Sequence, residues 1–173
     1  MAIPIQAFAR VSGAHLNPAV TLGLVVARRF PPGDLPAYVG AQLAGAFAGS
    51  FAVGVLVGKN AHYGATIPWH GDLWLVAPLE GAFTAALILA VLYLTNLWRT
   101  PTPVELLLPA AVVGLSTFLI GPWTGSSLNP ARTLAPAVLS GDYFGIWVYL
   151  VAIPVVAIAT ALAISAGMPG RPS

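Results

Sequence analysis

Four long apolar runs, residues 35–58, 73–98, 106–123 and 143–168, set the terms on which this chain can fold. A helix rising ~1.5 Å per residue needs ~20 residues to cross a hydrocarbon core of ~30 Å, and each run approaches or exceeds that length. Hydrophobic residues make up 58% of the sequence and charged residues 7%, against roughly 45–50% and about 25% in an ordinary soluble domain. That deficit of charge leaves too little polar surface to cover a water-soluble globule, so the chain is expected to be an all-α, multi-pass membrane protein. The breaks at 28–34, 58–72, 98–105 and 139–145 carry Pro, Gly and charge and read as loops at the membrane surfaces.

Two further pieces are apolar but too short to span. GAHLNPAVTL (13–22) and GSSLNPARTL (125–134) share Gly, Leu-Asn-Pro-Ala and Thr-Leu at the same spacing, an internal repeat. Each opens a piece of about a dozen residues, 17–27 and 129–139, a length expected of re-entrant or interfacial segments. Asn is a favoured helix N-cap, and Pro at the first helical position loses no intrahelical bond. Asn17-Pro18-Ala19 and Asn129-Pro130-Ala131 therefore predict two half-helix starts; one such triplet alone would better fit a capped surface helix. Three spans separate the copies, and an odd number puts them on opposite membrane faces. Half-helices dipping from opposite sides bring their N-termini together near the midplane, about a pseudo-two-fold axis lying in the membrane.

Orientation follows from the basic residues. With the first half-helix entering from the cytoplasm, Arg10, Arg28, Arg29, Arg99 and Arg171 fall inside and Lys59 outside, with Trp69, Trp74, Trp123 and Trp147 in an outer aromatic belt and Trp98 at the inner one. Gly40, Ala44 and Ala48, with Gly45 and Gly49, form a small-residue face suited to close helix packing. The net charge of +2 rests on too few residues for a nucleic-acid surface. Cysteine is absent, which removes disulfides, thiolate metal sites and cysteine catalysis. His62, His70 and Asp72 share an outer loop, but their irregular spacing favours a solvated loop over a metal site. No catalytic triad or phosphate loop appears, so no enzyme activity, cofactor or metal is expected.

The paired windows, with Arg132 after the second triplet, resemble the signature of the aquaporin (major intrinsic protein) family, and the likeness runs along the whole chain through AYVGAQLAGAFAGS at 37–50 and Glu80. The resemblance implies an aquaporin-like inverted repeat with two re-entrant half-helices. The family has six spans; here about four complete ones are expected. Residues 1–173 read as one domain: 1–58 as the remnant of a first repeat, 71–168 as a second. The first span and most of the second are expected to be missing, so the sequence is expected to be a fragment or mis-started reading of a longer protein.

By resemblance, Arg132, Thr117 and Ser126 form the selectivity filter, the fourth filter position falling in the missing span. His15 lines the cytoplasmic pore mouth, or packs the loop. Glu80 accepts hydrogen bonds from the second re-entrant loop as a brace, with a proton relay as the alternative. Opposed half-helix dipoles and an arginine repel cations and protons, as aquaporin-type pores are known to do. Asn17 and Asn129 donate to a passing solute oxygen. An intramembrane arginine needs a cavity or a partner, and GSSLNPARTL contains no acid; snorkelling to the surface is the alternative. The expectation is a passive channel for water, with glycerol, urea or ammonia as the runner-up; Thr117 argues for a wider opening, and Thr133, where glycerol-conducting relatives typically carry Asp, argues against glycerol. A homotetramer in the cell membrane is expected. A proton-coupled transporter using Glu80 and a non-conducting subunit are the competing readings.

Overall fold

The computed structural model describes residues 13–96, 102 and 104–166, leaving unnamed only the side chains of His70 and Asn96 within them. Arg10, Trp98, Arg99 and Arg171 lie outside the described residues. The described residues form helices α1 (Pro18–Val26), α2 (Leu35–Leu56), α3 (Leu73–Asn96), α4 (Leu108–Leu119), α5 (Gly121–Thr124), α6 (Pro130–Ser140) and α7 (Ile146–Ser165), with short 3-10 turns leading into α2, α3 and α4. At 22, 24 and 20 residues, α2, α3 and α7 are long and apolar enough to cross a bilayer.

The expected span at 106–123 is built in two pieces. α4 has 12 residues, about 18 Å of helix. Gly121-Pro122 follows, and a proline both lacks an amide donor and crowds the preceding turn, so α5 restarts separately. The entry to α4 carries a reciprocal cap: Glu105 Oε2 accepts from Thr102 N at 2.8 Å and Thr102 Oγ1 at 2.9 Å, while Glu105 N donates to Thr102 Oγ1 at 3.3 Å.

The core lies where α1, α3 and α7 meet under the second re-entrant loop. Tyr149, Ile153, Ala157 and Ala161 make a fully buried stripe at four-residue spacing on α7, facing Val76, Ile88 and Leu92 of α3 and Leu24 of α1. Close approach is made at Gly23, where an added Cβ would lie 3.1 Å from Ile88 Cδ1, and at Gly81, where it would lie 3.3 Å from Val156 Cγ2. The packing expected on the face of α2 is a different matter. α2 has no buried residue, and nothing lies within 4 Å of a Cβ added at Gly40, Gly45 or Gly49. α2 packs on α6, α1 and the Lys59–Gly64 turn, so within this chain its small residues border open space instead of another helix. Trp69 and Trp123 meet edge to face at 4.6 Å, and Trp74 and Trp147 open α3 and α7.

Candidate pore site

The two repeats share a backbone path as well as letters. Gly13, Ala14 and Leu16 have φ of 70°, 48° and 45°; Gly125, Ser126 and Leu128 have 77°, 46° and 52°. Left-handed φ at non-glycine residues is strained, and its recurrence at matched positions marks a conformation imposed by its surroundings. It ends in each copy at an extended asparagine. Asn17 Oδ1 caps α1 by accepting from Ala19 N at 2.9 Å, and Asn129 Oδ1 caps α6 by accepting from Ala131 N at 3.0 Å and Arg132 N at 3.3 Å. The helices run Pro18–Val26 and Pro130–Ser140, within a residue of the expected ends.

The carboxamide nitrogens tie the copies together. Asn17 Nδ2 donates to Leu128 O at 2.7 Å, and Asn129 Nδ2 donates to Leu16 O at 2.9 Å. Each asparagine thus reaches the residue preceding the other, as a two-fold relation between the copies requires. An Asn carboxamide has two N–H groups; the cap uses the oxygen and the cross-tie one N–H, leaving one for a third partner.

Beside this junction lies a cavity of about 870 Å³ lined by residues including His15, Ala41, Gly45, Gly49, Asn129 and Arg132. A smaller one of about 80 Å³ lies among the 13–17 loop, α3 and α4, bordered by Asn17, Val91 and Val113. His15 and Leu16 border both cavities. Among the described residues no Asp or Glu lines either cavity. His15 also packs edge to face on Phe30 at 4.9 Å and against Tyr38 at 5.4 Å, so it both borders the cavities and packs against neighbouring rings.

Arg132 lines the large cavity and donates through Nη1 to Gly64 O at 3.1 Å. Its partner is a carbonyl from the loop between α2 and α3, 68 residues away in sequence. Thr117 and Ser126 border neither of the two cavities. Thr117 is exposed and its hydroxyl donates to Val113 O at 2.9 Å; Ser126 is buried and its hydroxyl pairs with Ser116 at 2.7 Å. The structure therefore does not gather Thr117, Ser126 and Arg132 around one of these spaces.

Glu80, fully buried on α3, accepts through Oε1 from Thr124 Oγ1 at 2.7 Å and Ser127 N at 2.8 Å, and through Oε2 from Leu128 N at 2.8 Å. Tyr149 Oη donates to Thr124 O at 2.5 Å on the same loop. Gln42 Nε2 of α2 donates to Thr21 Oγ1 at 2.9 Å, and that hydroxyl donates to Asn17 O at 3.1 Å. Sequence reasoning missed Gln42, Thr21, Thr124, Ser127 and Gly64. Their signal was modest: hydroxyls and an amide at positions in or beside apolar runs, where an unpaired polar group is costly. The metal grouping weighed for 58–72 includes His70, whose side chain lies outside the described residues.

A family model described as "Major intrinsic protein" matches residues 1–164. The chain belongs to the major intrinsic protein family. It is 37% identical over 153 residues to aquaporin NIP1-1 of Oryza sativa subsp. japonica, covering 86% of this chain and 52% of that protein. It is 35% identical over 162 residues to Nodulin-26 of Glycine max, covering 93% of this chain and 59% of that protein. Among solved structures, it is similar to the aquaglyceroporin from Plasmodium falciparum, with a TM-score of 0.81 and 27% identity over 95% of this chain and 76% of that one. The chain spans between half and three-fifths of the length of these plant relatives. It has the aquaporin fold of a multi-pass membrane channel, and the members of its family are channels.

Proposed function

We propose that this protein is a passive channel for water and small neutral solutes, excluding ions and protons, in the cell membrane. The observation that carries the reading is the reciprocal tie of Asn17 and Asn129, which fixes two half-helix N-termini at one junction and leaves an N–H on each asparagine for a solute oxygen. Each helix start contributes about half a positive charge there. With Arg132 added, and no carboxylate on the cavity walls, the junction disfavours cations while donating hydrogen bonds to neutral oxygen. Arg132 acts as the filter cation, without Thr117 or Ser126 at either cavity wall, and His15 borders the inner mouth. Glu80 acts as a brace: its three donors occupy both oxygens, which speaks against a coupling-proton site and for an uncoupled channel.

A glycerol-sized solute is the second reading, favoured by the small-residue wall of Ala41, Gly45 and Gly49 along the large cavity. The homotetramer rests on the family resemblance alone. Light scattering from liposomes carrying the chain, shrunk in turn by impermeant sugar, glycerol and urea, tests the function. Water flux above that of protein-free vesicles, insensitive to a proton gradient, supports it. Flux equal to empty vesicles for all three solutes refutes it and favours the non-conducting subunit.

A further inference from the structure

A chain of hydroxyls joins the loop between α2 and α3 to the second half-helix, off the walls of both cavities. Thr66 Oγ1 donates to Thr133 Oγ1 at 2.9 Å, Thr133 Oγ1 pairs with Ser127 Oγ, and Ser127 Oγ donates to Asn129 O at 3.0 Å. A hydroxyl has one proton to give. Ser127 gives its proton to Asn129 O, so Thr133 is the donor to Ser127, and Thr66 the donor to Thr133. The order Thr66, Thr133, Ser127, Asn129 carbonyl is therefore one-directional, and all three hydroxyls are buried.

The same stretch of loop meets the second repeat at two other points, one on the half-helix and one on the loop that leads into it. Gly64 O accepts from Arg132, and Gly125 lies so close to the loop that an added Cβ would be 2.9 Å from Thr66 Cα. Adjacent residues of α6, Arg132 and Thr133, thus grip loop residues 64 and 66. Between α2 and this grip the loop carries left-handed, non-glycine backbone at His62 and Tyr63, with φ of 47° and 55°, a conformation that needs external restraint to persist.

We propose that Thr133 and Thr66 form a latch that positions the Arg132 guanidinium, by holding the Gly64 carbonyl where the guanidinium binds it. Thr133 is a positioning residue: it borders neither cavity, and acts on the permeating solute only through Arg132. The inference rests on the channel reading for its consequence, but not for its geometry.

The test uses the full chain in lipid nanodiscs. It compares Thr133→Val, Thr133→Ser and Thr66→Val by amide hydrogen exchange over residues 58–72 and by the rate at which phenylglyoxal modifies Arg132. Loss of one buried hydrogen bond corresponds to roughly a three- to tenfold rise in local opening. Both valine variants are expected to show that rise in loop exchange, with faster labelling of Arg132, and the double variant to add little. Thr133→Ser, which keeps the hydroxyl, is expected to match the unaltered chain. Unchanged loop exchange in both valine variants overturns the latch. Faster exchange with unchanged Arg132 labelling overturns the positioning. If liposomes pass neither water nor glycerol, the channel reading falls, while exchange and labelling still decide the latch.

Discussion

Replacing Glu80 by Gln probes the second re-entrant loop with almost no change in volume. In the native site three donors converge on one carboxylate: Thr124 Oγ1 and Ser127 N on Oε1, Leu128 N on Oε2. A glutamine oxygen still accepts two of these, but its amide then points N–H at N–H on the third. The change loses one charge-assisted bond of about 1.5–3 kcal/mol, weakens the others, and leaves a buried donor unpaired at about 1–3 kcal/mol. Allowing for relaxation, about 2–4 kcal/mol of stability is expected to go. For a chain of this size, at roughly 2–4 °C per kcal/mol, Tm falls by roughly 4–16 °C. Leu128 also supplies the carbonyl that receives Asn17 Nδ2, so loosening its amide disturbs the cross-tie. Thermal unfolding in detergent and osmotic shrinkage of liposomes, read on the same preparation, check both consequences. A Tm within about 1 °C of the unaltered chain, together with full water flux, would refute the bracing argument. Full stability with lost proton-dependent uptake would instead support a coupled transporter.

Arg132→Ala is expected to raise glycerol flux relative to water flux in liposomes; an unchanged ratio would count against Arg132 as the filter. Thr84 is fully buried on α3, and its hydroxyl has no hydrogen-bond partner among the described residues. Thr84→Val, nearly isosteric, should therefore raise stability by about 1 kcal/mol, and a loss of that size in equilibrium unfolding would contradict the assignment. Gly125→Ala meets both a φ of 77° and Thr66, and is expected to cost at least about 1–2 kcal/mol. Gly40→Ala on α2 meets nothing and should gain about 0.5–1 kcal/mol from helix propensity; a destabilised Gly40 variant in the same unfolding assay would mean that this face is packed in the membrane.

The parts of the fold written locally were legible. Hydrophobic length located α2, α3 and α7, and Asn-Pro placed both half-helix starts, because length and capping are properties of contiguous residues. The Pro122 break was legible in kind but lost in a run that reads as one apolar stretch. The Thr102–Glu105 cap has the Ser/Thr-x-x-Glu spacing, which is also a property of contiguous residues. What the sequence did not carry was which helix face packs. In a bilayer, core and lipid are equally apolar, so periodicity no longer separates them. The stripe of Gly40, Gly45 and Gly49 on α2 thus resembled a packing face, whereas close approaches of one helix to another occur at Gly23 and Gly81. The partners of Arg132, Asn17 and Thr133 lie 68, 111 and 67 residues away, and no local pattern names them.

In the proposed channel, paired asparagines present a hydrogen-bond donor to a neutral solute at a positive junction. Stopped-flow shrinkage of liposomes carrying the chain, beside Asn129→Asp, tests it most directly. Aspartate keeps the cap on Ala131 N but replaces the donating Nδ2 by a negative oxygen facing Leu16 O. Water flux from the unaltered chain is expected to fall severalfold in the variant, with cation leak appearing. Equal water flux and equal cation exclusion in the two would contradict it.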